Sequence, residues 1–278
     1  MDLSSKKKIR HFVEVRFFPS QDTKYLYNIL SRQFLKMQLP LVDNLFRSLE
    51  NQTNKNFEVV FIMNPAFFES KNYQFIFSHL KGATTLPVSF VLSGSLIPFI
   101  TNAVYENDFV IQTRMDFDDF VYKDAVADTQ SKVEECSKIM IYGYCKGYSY
   151  FDGEMLPYFH NYNGVGHHSI FQSVIMKSSF IKNLPLRTAY FGSHSKVKNR
   201  LSGYVSKYGY KFSEDMFQQN TSANAFIYFR HEFAHYILTK RLNKTVRTEM
   251  ENALTSKDIT KKQLKEEFGF TLELNSIK

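Results

Sequence analysis

Carboxylates crowd together in the run Arg114-Met115-Asp116-Phe117-Asp118-Asp119, which follows an apolar stretch ending at Thr113. Acids this close repel one another and are unfavourable unless a cation or several hydrogen-bond donors neutralise them. Hard oxygen ligands of this kind suit Mg2+ or Mn2+, ions that commonly bridge to a diphosphate. Arg114 would add a charge-assisted contact to phosphate. A plain alternative gives Asp118 and Asp119 the start of a loop and the cap of a helix after Val121, with no chemistry involved.

A rival motif lies near the C-terminus. His231-Glu232-Phe233-Ala234-His235 matches HExxH, in which two histidines one helical turn apart bind zinc and the glutamate serves as base. Against a zinc metalloprotease, the preceding run Phe226-Ile227-Tyr228-Phe229 reads as strand, Arg230 would set a cation beside the metal, and a third ligand would have to be a distant acid such as Glu249 or Glu251. Two histidines that only form hydrogen bonds are the simpler reading.

The acidic run needs a scaffold, and the first half of the chain supplies one. Apolar, β-rich runs at 11–18, 57–63, Val88–Leu92 and 109–113 alternate with helical patterns, the mark of a sheet built from βα units. Leu39-Pro40-Leu41 is expected to open a helix in which Leu41, Leu45, Phe46 and Leu49 keep helical spacing. The acids then sit beyond the carboxyl end of a fourth strand, where open α/β sheets bind ligands. After Cys136, Tyr- and Gly-rich runs at 139–144 and 148–152 read as two strands. The loop at 161–169 reads either as a mobile flap or as a hairpin connection. From Leu242 the chain is charged and helical, with Asp258 as a cap.

At these residues the chain resembles the rhamnosyltransferases of bacterial surface polysaccharides, enzymes with a GT-A-like fold. The resemblance runs from HFVEVRFF (11–18) through LPLVDNLFRSLENQTNKNFEVVFIMN (39–64) to IQTRMDFDDFV (111–121), and more weakly to about residue 236. It implies an α/β, GT-A-like (Rossmann-like) mixed, mostly parallel sheet flanked by helices, with a C-terminal helical extension. It also implies a metal-dependent glycosyltransferase of hexosyltransferase type moving a sugar, rhamnose by the family's name, from a nucleoside-diphosphate donor to a glycan or lipid-linked glycan acceptor. Asp116 would lie near the donor's ribose or the metal, Asp118 would be the main ligand of Mn2+ or Mg2+, and Asp119 would ligate or orient. Arg16 and Arg114 would face the nucleotide. GT-A enzymes that invert the anomeric centre use a carboxylate base, and Ser213-Glu214-Asp215 looks like its source, with Asp215 as base and Glu214 as substitute. The same acids would also suit the first turn of a helix capped by Ser213. A histidine often completes such metal sites; His231 is the first candidate, ahead of His194 and His235.

These expectations divide the chain into a GT-A-like domain at 1–240, with a nucleotide-sugar half at 9–122 and an acceptor half at 123–240, and a helical extension at 241–278. The non-enzymatic alternative is a nucleotide-sugar or glycan-binding module that keeps the fold without turnover. With 35 Lys and Arg against 27 Asp and Glu, the net charge of +8 favours anionic partners. The basic residues are scattered, which argues against nucleic acid and leaves peripheral contact with an anionic membrane open. Two cysteines provide no disulfide framework, and the N-terminal apolar stretch is broken by Glu14 and Arg16, so a cytoplasmic protein is expected. The apolar segment at 82–105 carries no charge but is interrupted by Pro87 and Pro98, and it reads as strand, turn and buried helix.

Overall fold

The computed structural model describes residues 7–17, 32–63, 65–68, 73–151, 154–159, 161–162, 165–166, 171–186, 188–189, 197–230 and 261–269. Strands β1 (Ile9–Phe17), β2 (Glu58–Met63), β3 (Val88–Leu92) and β4 (Phe109–Asp116) form the parallel part of one sheet. The short β5 (Phe120–Val121), the long β6 (Ile139–Phe151), β7 (Glu154–Phe159), β10 (Gln172–Lys177) and β11 (Phe217–Arg230) complete it in the order β3-β2-β1-β4-β10-β6-β11-β5, with β7 beside β6. β10, β5 and β7 run against the rest. β8 (Asn161–Tyr162) and β9 (Val165–Gly166) pair antiparallel as a separate small hairpin. The architecture is the expected GT-A-like mixed α/β sheet flanked by helices.

Every residue of β2 is buried, as a strand covered on both faces must be. Helices α1 (Arg32–Glu50), α2 (Pro65–Phe68), α3 (Tyr73–Gly82), α4 (Leu96–Glu106), α5 (Ala125–Ser131), α6 (Ser178–Ile181) and α7 (Val197–Lys207) divide between those faces. On one face Leu45, Phe46 and Leu49 of α1, Ile76 and Leu80 of α3, and Val126 of α5 pack on Val13, Val15, Val59 and Phe61. On the other, Ile100 and Val104 of α4 and Leu201 and Val205 of α7 pack on Phe12, Val60, Val110 and Val174.

The structure corrects two expected boundaries. Helix α1 begins well before Pro40, which lies inside it. An interior proline costs about 3 kcal/mol, but Leu39, Val42, Leu45, Phe46 and Leu49 each bury fully or nearly so, and each such side chain contributes about 1.5–3 kcal/mol. The two strands expected after Cys136 are one continuous β6, held on one side by β10 and then β7, and on the other by β11. The segment at 82–105 resolves into β3, a short turn at Ser93–Ser95 and α4. Among the described residues no helix is long and apolar enough to cross a membrane.

The last described helix, α8 (Lys261–Phe268), docks Leu264 and Phe268 against Leu41, Phe120, Tyr150 and Ile227. Its carboxyl end is tied to the segment just after the acidic run, where the Lys123 amide donates to Glu267 O at 2.7 Å and Lys123 Nζ meets Glu267 Oε1 at 3.0 Å. Gly269 ends it at φ 67°, where a side chain would press on Arg47 O. A glycine suits this left-handed position after a helix. Asp258 lies outside the described residues.

Candidate functional site

Register builds the site. β1 and β4 are adjacent and parallel, and their pairing sets Glu14 beside Arg114 and Arg16 beside Asp116. β10 adds Gln172 beside Arg114 from the other side. Because side chains alternate along a strand, Glu14, Arg16, Gln112, Arg114, Asp116 and Gln172 share the face covered by α4 and α7. The structure therefore brings together three residues expected from the sequence, Arg16, Arg114 and Asp116, at the carboxyl ends of two parallel strands.

Arg16 Nη2 lies 3.5 Å from Asp116 Oδ1, and both side chains stay about a third exposed, at 34% and 35%. A pair this open contributes about 1 kcal/mol or less. It holds both groups at the strand ends without locking them to each other, so an incoming anion competes for the guanidinium at small cost. Arg114 is buried one step deeper, at 8% exposure.

The turn after β4 is rigidly held. The Asp119 amide donates to Asp116 O at 3.3 Å, and Phe117 sets its ring edge-on to Phe17 at 5.7 Å. Phe120 and Val121 are fully buried and pair with Ile227 and Phe226 of β11. Ser48 Oγ both accepts from the Val121 amide and donates to Val121 O, each at 3.0 Å. Asp118 keeps partial exposure, whereas Asp119 is 3% exposed. The three acids do not form a ready-made cage: among the described residues no group of three or more His, Cys, Asp or Glu gathers to hold a metal. Asp116 and Asp118 at the strand end fit the other kind of site, in which one or two carboxylates hold Mg2+ or Mn2+ and substrate phosphates complete the shell.

Glu214 and Asp215 lie away from the acidic run. They sit in the short turn Glu214–Met216 leading into β11, where Ser213 makes no side-chain cap hydrogen bond. Following the register from Phe217 to Ile141, Ile139 to Met176 and Met176 to Val110 places Asp215 level with the amino half of β4. Six residues along a strand and three strands across amount to roughly 20 Å and 14 Å respectively. Glu214 Oε2 instead pairs with Lys198 Nζ at 2.7 Å on the surface. His231, His194 and His235 lie outside the described residues. The run before His231 is part of β11, which extends through Arg230, as the argument against a zincin helix expected.

Two buried networks escaped the sequence reading. Behind the site His11 Nε2 lies 2.7 Å from Thr113 Oγ1, which lies 2.6 Å from Ser173 Oγ, while Gln130 Nε2 reaches His11 Nδ1 at 3.3 Å. Gln130 also donates to Asn56 O at 2.8 Å and accepts from Asn54 Nδ2 at 2.9 Å. With the amide so oriented, Nδ1 accepts and Nε2 carries the proton, so a second proton has no acceptor. Burial lowers the His11 pKa to about 3. The only sequence signal was polar residues inside apolar strand runs.

Beside α5, Asp128 Oδ2 accepts from Tyr142 Oη at 2.6 Å, Tyr144 Oη at 2.8 Å, Asn220 Nδ2 at 3.3 Å and Tyr122 Oη at 3.5 Å. Burial, with the Asp128 charge adding to it, pushes Tyr122 up to about 12 and raises Tyr142 and Tyr144 further. These phenols stay protonated donors that fasten α5 to β6. They pack within the core.

No protein-family profile and no curated protein sequence matches the chain. Among solved structures it is similar to S. aureus TarS (1–349), at 14% identity and a TM-score of 0.41, covering 79% of this chain and 60% of that one. It is also similar to the mannosyltransferase PcManGT from Pyrobaculum calidifontis in complex with GDP-Man and Mn2+, at 10% identity and a TM-score of 0.44, covering 92% of this chain and 67% of that one. The chain thus spans less than two thirds of the TarS fragment. At these values the fold rests on the strand order described above.

Proposed function

We propose that the chain is a glycosyltransferase that moves a sugar from a nucleoside-diphosphate donor to a hydroxyl of a glycan acceptor. The observation that carries this reading is the meeting of Arg16, Arg114 and Asp116 at the carboxyl ends of β1 and β4, immediately before a rigid turn bearing Asp118. Two guanidiniums offer the charge and fork geometry that a diphosphate needs. Asp116 supplies an acceptor for ribose hydroxyls once Arg16 turns to phosphate. The aromatic support of Phe17 and Phe120, both buried, and of the half-buried Phe117 keeps these groups in place, so little ordering is needed on binding.

Asp118 would hold Mn2+ or Mg2+ together with donor phosphate, and the ion's chemistry when bound is to offset charge on the departing diphosphate. Arg16 and Arg114 serve the same end from the protein side. Asp215 is too far from this turn to take the proton of a hydroxyl attacking a sugar held there, since a general base works within hydrogen-bond reach. The inverting outcome that the resemblance implies is then left without an assigned base. Rhamnose as the sugar, and a surface polysaccharide or lipid-linked glycan as acceptor, rest on the sequence resemblance.

A thermal-shift panel of nucleotide sugars with and without Mn2+ tests the reading, followed by mass spectrometry for transfer. A true donor at a hundredfold excess over its Kd adds about 2.7 kcal/mol, on the order of 5 °C in Tm. Asp118→Ala should remove the metal requirement together with transfer. A panel in which no nucleotide sugar stabilises the protein, with or without metal, contradicts the reading. Stabilisation without hydrolysis or transfer across acceptors would instead identify a binding module.

A further inference from the structure

The described residues contain one fully buried carboxyl that the proposed chemistry leaves unused. Glu14 is 0% exposed in the middle of β1, two residues before Arg16 and in register with Arg114. Gln172 stands on the far side of Arg114, also fully buried. Neighbouring strands lie about 4.8 Å apart, so these side chains form a continuous polar row directly beneath the Arg16–Asp116 row. The segment at 188–189 closes over it: the Ala189 backbone amide donates to Gln112 Oε1 at 3.1 Å and lies near the Glu14 carboxyl.

We propose that Glu14 is a charge-setting residue of the donor site, governing through its own ionisation how much positive charge Arg114 and Arg16 present to a diphosphate. The inference rests on the donor reading above and deepens it. With Glu14 neutral, the two guanidiniums of Arg16 and Arg114 face the carboxylates of Asp116, Asp118 and Asp119 with no further negative charge beneath them. With Glu14 ionised, one more negative charge lies beneath the guanidiniums, and the site attracts a diphosphate less.

The surroundings decide which form prevails near neutrality. Among the described residues, Arg114 and Asp116 on β4 and Arg16 and Arg10 on β1 are charged groups of this face, together with Glu58 of β2, which pairs with Arg10 at the amino end of the strands. β2 contributes Val60 and Ile62, α4 contributes Leu96 and Ile100, and β10 contributes Gln172. On α7, Tyr204 is committed to Pro185 O at 2.6 Å. Desolvation dominates, and burial raises the Glu14 pKa to about 8, opposed in part by the nearby Ala189 amide. Below that value the carboxyl is protonated and adds no negative charge beneath the two guanidiniums.

The test is calorimetric titration, without metal, of the nucleoside diphosphate that stabilises the wild type most, between about pH 7 and pH 9, above the last phosphate pKa of roughly 6, with Glu14→Gln as the control for what ionisation of the ligand remains. Wild-type Kd should rise on the order of tenfold across this window, the effect of one partly screened charge a few ångströms from the ligand. In Glu14→Gln, which keeps the shape and cannot ionise, the rise should vanish and affinity at pH 9 should exceed that of the wild type. Carboxyl 13C spectra of the wild type give a second readout independent of the variant: one glutamate should titrate near 8 and shift when nucleotide is added. Equal slopes in both proteins, or no such resonance, overturn the role of Glu14 while leaving the donor site standing. If the wild type binds no nucleoside diphosphate at either pH, the donor reading itself falls, and this inference with it.

Discussion

Replacing His11 with asparagine should make the protein markedly less sensitive to acid, even though it is less stable at neutral pH. In the folded state His11 titrates at about 3, against 6.5 for an ordinary histidine. A depressed folded pKa contributes stability that is complete above 6.5 and is lost as pH falls toward 3. At pH 4 the gap between 6.5 and 4 is worth about 3 kcal/mol at 1.36 kcal/mol per unit. Glu14 works with the opposite sign: its raised folded pKa costs stability as pH climbs from the ordinary carboxyl range to about 8. That contribution is common to wild type and variant and cancels in their difference. His11→Asn should lose about 1–3 kcal/mol at pH 7, because Thr113 and Gln130 lose a buried partner. Urea unfolding of both proteins at several pH values is the assay. The stability difference should shrink or reverse by about 3 kcal/mol between pH 7 and pH 4. Parallel pH curves would show that His11 is not held neutral by its surroundings, and the tautomer argument through Gln130 would fail.

Other expectations concern packing and the division of labour between the acids. A methyl group at Gly147 would sit 2.3 Å from Phe226 O, so Gly147→Ala should force β6 and β11 apart, lowering the denaturation midpoint by an amount equivalent to several kcal/mol. Gly269→Ala meets both a left-handed backbone and the Arg47 carbonyl at 2.7 Å; it should cost about 1–2 kcal/mol and raise hydrogen exchange in α8 before the rest of the chain. Asp215→Asn should leave nucleotide affinity within about twofold of the wild type, whereas Arg16→Ala should weaken it by on the order of tenfold or more, the loss of one charge-assisted contact. The reverse ranking in a titration would move the site to the other end of the sheet.

The parallel half of the sheet was legible because its strands carry their own signal. The run Val88–Leu92 matches β3 residue for residue, and 57–63 differs from β2 only at its first position. Local signals misled where distant pairing decides. Cys145-Lys146-Gly147 looks like a break between two strands, yet β11 and β7 flank it, and glycine is needed there because Phe226 approaches so closely. Pro40 looks like a helix start, but the apolar face extending past it on both sides determines the helix. Of the site, Arg16, Arg114 and Asp116 could be picked out as types at a strand end. Their side-by-side placement depends on register between β1 and β4, about a hundred residues apart in the chain. Glu14 was visible only as a charge interrupting an apolar run. Glu214 and Asp215 fit an expected role by type, and only the order of strands shows that they open β11 at the opposite end of the sheet.

A structure of the protein bound to the nucleoside diphosphate of its most stabilising donor, with Mn2+, bears most directly on the site. The diphosphate should lie within hydrogen-bond distance of Arg16 and Arg114, with Arg16 released from Asp116 and the metal on Asp118. Nucleotide bound away from the carboxyl ends of β1 and β4, with Arg16 still paired to Asp116, would contradict the assignment.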